Sequence, residues 1–137
     1  MHKPKVEMVK ITEHFGISSE TPLVDQEHFC LLAEASAEDP QFMSDLLSTF
    51  LGEAKPAVKK LTEACNSHDD NEIARLSHFL AGSSANLGLM RFPEICRKIE
   101  SNVRNGAELD YDITSQLIND ELELGVDRYN KAIASQV

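Results

Sequence analysis

The stretch LSHFLAGSSANLG, residues 76–88, lies within a predicted amphipathic helix yet contains a glycine in the helix interior. On a helical wheel of about 100° per residue, His78 points about 170° away from the apolar stripe. Its neighbours on the wheel are mostly small, and they are Ala74, Arg75, Ala81, Gly82 and Ala85. Glycine at position 82 costs the helix about 0.8–1 kcal/mol relative to alanine. We therefore expect an exposed imidazole that another molecule can approach closely.

Similar apolar spacing on either side of this stretch predicts an all-α protein. We predict an antiparallel up-down-up-down four-helix bundle over residues 23–137, with a short additional N-terminal helix. Residues 1–22 are predicted to be an extended or partly ordered lead. Proposed caps are Asp25 for the short helix and Asp39, with Pro40 at the first helical position, for the next, and the third helix is predicted to start near Asp69 or Asp70. The predicted helices cover residues 24–36, about 40–66, a third segment from near 69 or 70 to near 88, a fourth from about 92 to 105, and a last one over about 112–134.

Composition and charge limit the classes of partner. The chain has 137 residues and a formal net charge of −10, which argues against nucleic acid and anionic membranes as partners. The alternative explanation of the acidity is solubility.

Cys30, Cys65 and Cys96 are predicted to be reduced core residues of an intracellular protein. No signal peptide and no membrane-spanning run is predicted.

The chemistry that remains for His78 is limited. A metal site would need further ligands at matching spacing, and His68 lies in a connection. Catalysis by Ser83 or Ser84 would need an orienting acid and an oxyanion hole, and neither is visible. A neutral imidazole alone can attack phosphorus. The chain has no Gly-rich phosphate loop, so a partner would have to supply the phosphoryl donor and the metal.

The segment LSHFLAGSSANLGLMRFPEICRKIE resembles the signature of histidine-containing phosphotransfer (HPt) domains, and it is close to that of the fungal phosphorelay intermediates. The resemblance implies a four-helix bundle in which His78 accepts a phosphoryl group from the aspartate of one receiver domain and passes it to another. The matching residues are His78, Phe79, Leu80, Gly82, Ser83, Ser84, Ala85, Leu87, Gly88, Cys96 and Glu100.

The resemblance also implies supporting roles and partners. Gly82 would clear space for the receiver, and Glu100 would orient the imidazole, against the alternative of a simple surface acid. Ser83 and Ser84 are expected to cap or pack. The implied partners are response-regulator receiver domains and a hybrid sensor kinase. The protein would be a monomeric carrier without turnover, in the cytoplasm and in a eukaryote also the nucleus. It would carry no cofactor, and Mg²⁺ would sit on the receiver.

One departure concerns residue 81, where the family nearly always has lysine and this chain has alanine. Arg75, three residues before His78, is a candidate replacement for that charge, against the alternative of a solvated arginine. An engineered alanine is a further explanation. The alternative functions are a receiver-docking module with impaired transfer and a purely structural bundle. Receiver docking is assigned to Phe79, Leu32 and Leu46, with core packing as the alternative for the two leucines.

Overall fold

The computed structural model describes residues 15–136, so the part of the predicted lead over residues 1–14 lies outside it. Five α-helices follow one another in this part of the chain, which contains no β-strand beyond one isolated bridge between Val24 and Leu89. Their bounds are α1 (Gln26–Ala35), α2 (Phe42–Asn66), α3 (Asp70–Leu87), α4 (Arg91–Arg104) and α5 (Tyr111–Ala134). The all-α prediction is confirmed.

The four longer helices form the predicted bundle. Helix α3 packs against α2 and α4, and α5 packs against the same two helices, so α3 and α5 lie diagonally opposite. Short connections at residues 67–69 and 88–90 make consecutive helices antiparallel. Helix α2 runs unbroken through Pro56. No helix of residues 15–136 has the length and apolar character needed to cross a bilayer.

Several helix boundaries follow from local capping. The side chains of Asp25, Asp69 and Asp110 accept hydrogen bonds from backbone amides in the first turns of α1, α3 and α5. Helix α3 ends at Gly88, whose φ of 109° suits a residue without a Cβ atom.

The predicted start of α2 was wrong. The helix begins at Phe42, and its N-cap is Gln41, whose side chain makes no capping bond. Asp39 instead closes a turn before the helix, because its carboxylate accepts from the amide of Gln41 at 3.1 Å and its carbonyl from that of Phe42. The first buried residues of α2 are Met43 and Leu47. Phe42 and Leu46 are half-buried at the edge of the core.

The short helix α1 lies across the α3–α4 connection. The amide of Asp25 donates to the carbonyl of Gly88 at 2.8 Å, and Nε2 of His28 lies 2.9 Å from the carbonyl oxygen of Asn86. Phe29 is the buried residue of α1. Cys30 is exposed, so its prediction as a core residue was wrong, because α1 covers the bundle with one side only. Cys65 and Cys96 are buried as predicted.

Residues 15–24 are anchored to the bundle. Phe15 and Ile17 belong to the core cluster, and the guanidinium of Arg91 donates to the carbonyl of Ser19 at 2.6 Å. Arg91 also pairs with Glu121, which is 1 % exposed, at 3.0 Å. This ion pair, together with the bond to Ser19, fixes the chain ahead of α1 against α4 and α5, and it was not predicted from the sequence.

Candidate functional site

His78 lies in the middle of α3 on its solvent side. Its side chain is 74 % exposed, whereas Leu76, Leu80 and Leu87 of the same helix are buried in the core. This agrees with the expectation drawn from the helical wheel. The imidazole is therefore open to another molecule while the helix that carries it is fixed by the core.

Glu100 of α4 contacts this imidazole. Both of its carboxylate oxygens lie 3.1 Å from Nδ1 of His78. An ionised carboxylate only accepts hydrogen bonds, so we assign the proton of the neutral imidazole to Nδ1. Nε2 then has an unprotonated lone pair that points away from Glu100. This arrangement leaves a nitrogen nucleophile at the exposed end of the ring.

Arg104, one turn after Glu100, completes the arrangement. Its Nε donates to Oε2 of Glu100 at 2.7 Å. Partial burial acts to raise the pKa of Glu100, but hydrogen bonds from Arg104 and His78 outweigh it, so the pKa of this carboxyl lies below its usual range. Arg104 was not predicted from the sequence, although an acid and a base four residues apart on one helix were a usable signal.

The small residues around His78 separate into two groups. Gly82 is exposed, and a Cβ atom added there would meet nothing within 4 Å. Ala74 and Ala81, however, are each only 4 % exposed. The expectation that they lie on an open face was wrong. On the helical wheel both alanines lie between the apolar stripe and His78, whose ring contacts Glu100 of α4, so we place them on the flank of α3 toward α4.

The remaining charged and polar candidates have their own partners. Nε of Arg75 donates to Glu72 at 2.9 Å, and the two residues form an ion pair on the surface of α3. The hydroxyls of Ser83 and Ser84 donate to the carbonyls of Phe79 and Leu80, one turn earlier. These two hydroxyls are therefore bonded to their own helix and not to His78.

The docking candidates differ in exposure. Phe79 is 39 % exposed, whereas Leu32 and Leu46 are half-buried and pack against the core. Leu31, which the sequence analysis did not select, is 59 % exposed. Within residues 15–136, no three His, Cys, Asp or Glu side chains are grouped so that they could hold a metal ion. His68 stacks on Tyr111 with ring centroids 4.0 Å apart.

Comparisons with known proteins agree with this geometry. Residues 45–130 match the Hpt domain family. The chain is 30% identical over 80 residues to the multistep phosphorelay regulator 1 of Schizosaccharomyces pombe, covering 58% of this chain and 27% of that protein. It is 29% identical over 83 residues to the phosphorelay intermediate protein YPD1 of Saccharomyces cerevisiae, covering 60% and 49%. The matched region thus spans half or less of each curated relative.

Solved structures share the fold. Histidine-containing phosphotransfer protein B from Pseudomonas aeruginosa PAO1 superposes with a TM-score of 0.71 at 18% identity, covering 83% of this chain and 96% of that one. A chain of the co-crystal structure of Saccharomyces cerevisiae Ypd1 with the receiver domain of the response regulator Ssk1 gives 0.60 at 19% identity, covering 83% and 93%. With the family match over residues 45–130 and the helical bundle around His78, the chain belongs to the Hpt domain family.

Proposed function

We propose that the chain is a phosphocarrier in a phosphorelay, with His78 as the phosphoryl acceptor. The observation that carries the proposal is the contact between Glu100 and Nδ1 of His78, which leaves Nε2 exposed and unprotonated. The names of the curated relatives, a phosphorelay regulator and a phosphorelay intermediate, support this role. The co-crystal of a structural neighbour with a receiver domain supports receiver domains as the partners.

The transfer step needs little chemistry from this chain. The lone pair of Nε2 attacks the phosphorus of an aspartyl phosphate on the receiver, and a nitrogen–phosphorus bond forms. The bond from phosphorus to the aspartyl oxygen breaks and restores the receiver's carboxylate. The imidazole becomes positively charged, and Glu100 stabilises that charge through Nδ1–H. The reverse step passes the group to a second receiver, so the chain ends each cycle unchanged.

The receiver supplies the Mg²⁺ in this scheme, and this chain acts as a carrier, not as a catalyst with turnover. A hybrid sensor kinase is the proposed source of the phosphoryl group. The buried thiols of Cys65 and Cys96 support a reducing compartment such as the cytoplasm. The relatives give no support to the alternative of a docking module with impaired transfer.

The test is incubation with a phosphorylated receiver domain and Mg²⁺. We expect one acid-labile, base-stable phosphoryl group on the wild-type chain and none on His78→Gln. His68→Gln is the matched control, because His68 is also an exposed histidine but lies in the α2–α3 connection. Label that persists in His78→Gln, or that is lost in His68→Gln alone, would contradict the assignment.

A further inference from the structure

The phosphoryl group proposed for His78 carries nearly two negative charges. Helix α3 offers no unpaired cation at either of the two positions expected to balance this charge. Ala81 is buried and uncharged. Arg75 is paired with Glu72. These two positions are the ones from which the sequence analysis expected the positive charge. A stabilising cation must therefore come from elsewhere.

Helix α4 presents two arginines on the face that carries Glu100. Arg97 precedes Glu100 by three residues and Arg104 follows it by four, so all three lie on one side of the helix. Nε of Arg104 is bonded to the carboxylate of Glu100. Arg97 is exposed, and its guanidinium makes no ion pair or side-chain hydrogen bond with any residue of the described part of the chain. Of the two arginines on this face, Arg97 is therefore the one whose guanidinium has no partner within the described residues.

The antiparallel packing of α3 and α4 places Arg97 at the level of residue 81. Glu100 and His78 are in contact, and Arg97 lies about 4.5 Å along α4 from Glu100. Ala81 lies about 4.5 Å along α3 from His78 in the same direction, because the two helices run in opposite senses. Arg97 of α4 and residue 81 of α3 thus lie at the same level of the helix pair, and residue 81 is the position at which the family carries lysine.

The surface of α3 next to His78, at the level of residues 81 and 82, is open at Gly82. Gly82 follows Ala81 on the exposed side of α3, and nothing lies within 4 Å of the position that its Cβ atom would occupy. Arg97 is exposed at the same level of α4, and its long side chain has the reach to extend toward the exposed end of the imidazole. A planar guanidinium also matches phosphate oxygens with two parallel hydrogen bonds.

We propose that Arg97 of α4 binds the phosphoryl group on Nε2 of His78 and takes the place of the missing lysine at position 81. The inference rests on the proposed phosphocarrier function and names a phosphoryl-binding residue of that same site. Arg97 stabilises the phosphorylated form in this scheme, and Glu100 with Arg104 holds the other side of the ring.

The test uses the full chain phosphorylated at His78 with phosphoramidate, a small phosphoryl donor that needs no receiver. The pKa of the bound phosphoryl group is followed by ³¹P NMR in wild type and Arg97→Gln. A nearby cation favours the dianion, so its removal should raise this pKa by about 0.3 to 0.7 unit at low salt, the twofold to fivefold effect of an exposed ion pair. Arg97→Lys should keep most of the wild-type value, and high salt should reduce the difference.

Lys98→Gln is the matched control, because Lys98 is also an exposed cation of α4 but lies about 160° from Glu100 on the helical wheel. An equal shift in Lys98→Gln and Arg97→Gln, or no shift in Arg97→Gln, overturns the proposal. A shift confined to Arg97→Gln supports it even in a chain that receivers fail to phosphorylate. If a receiver labels the chain normally but the pKa of the phosphoryl group is unchanged in Arg97→Gln, the phosphocarrier function is supported and the role of Arg97 is rejected.

Discussion

Both carboxylate oxygens of Glu100 lie 3.1 Å from Nδ1 of His78, although the two residues belong to different helices and are 22 positions apart. The contact selects one tautomer of an otherwise exposed ring. It also links the reactivity of Nε2 to the packing of α3 against α4. The orientation of the proposed nucleophile therefore depends on the bundle as well as on its own helix.

The first prediction concerns the tautomer of His78. In Glu100→Ala we expect a mixture of Nδ1–H and Nε2–H forms, since the acceptor for Nδ1–H is gone. Transfer from a phosphorylated receiver should slow by about tenfold or more, because a lost hydrogen bond to a charged group costs about 1.5 kcal/mol or more. Nitrogen-15 NMR of the imidazole measures the tautomer. Glu94→Ala, an exposed acid in the first turn of α4, should leave both properties unchanged, and an equally slow Glu94→Ala would argue against an orienting role for Glu100.

The second prediction is a pH dependence of stability. The pKa of Glu100 in the folded chain lies below its ordinary value of 4.5. A depressed pKa stabilises the folded state above the unfolded value, and this contribution is lost as the pH falls through the folded pKa. At pH 7 the wild type should therefore have a larger free energy of unfolding than Glu100→Gln, and the gap should close in acid. Urea unfolding at both pH values measures it, and a gap that widens in acid would reverse our sign.

The third prediction tests whether Gly82 serves to keep the imidazole of His78 accessible, at a cost in the stability of α3. Gly82→Gln should stabilise α3 by somewhat less than the roughly 0.8–1 kcal/mol that alanine would provide, yet slow phosphoryl transfer by crowding the imidazole. Gly52→Gln is the matched control, because Gly52 is also an exposed helical glycine with nothing within 4 Å of its Cβ position. It should gain the same stability and transfer normally. Thermal unfolding and transfer rates measure the two effects, and unchanged transfer in Gly82→Gln would refute the role of the glycine in clearance.

Local signals made most of the fold predictable. Helix caps act between residues a few positions apart, so they can be recognised in the sequence. Asp25, Asp69 and the glycine that ends α3 are examples. The start of α2 was missed because a turn closed by Asp39 competes with a cap at the same residue. The exposure of His78 followed from helical periodicity alone.

Long-range packing made the rest unpredictable. The burial of Ala81 depends on which flank of α3 is covered by α4, and the wheel of one helix does not contain that information. The pair of Arg91 with Glu121 depends on where the chain ahead of α1 crosses the bundle. The pairing of Glu100 with His78 was inferred from a family resemblance, since no spacing within one helix relates the two residues.

The fourth prediction concerns Ala81→Lys. The missing lysine alone would predict faster transfer or a longer-lived phosphohistidine without a change in the fold, and the burial of Ala81 adds a cost in stability. Ala81 is 4 % exposed, so a long stem there must displace neighbours or run out along α4. We expect a loss of about 1–3 kcal/mol in the free energy of unfolding. Ala81→Met has a similar length without the charge and isolates the cost of volume. Chemical unfolding of both variants measures it, and a wild-type stability for both would show that the α3–α4 flank is open.

The last prediction concerns the surface that a receiver contacts. Phe79 is exposed beside His78 on α3, and Leu31 is the most exposed large apolar residue of α1. Apolar side chains at the centre of an interface contribute most of the affinity, so Phe79→Ala should weaken binding of an unphosphorylated receiver by about tenfold. Leu32→Ala and Leu46→Ala should mainly lower stability, because both side chains pack against the core. Titration followed by amide chemical shifts measures the affinity. Leu124→Ala on α5, diagonal to α3, is the control, and shifts confined to α5 would place the receiver on the opposite side of the bundle.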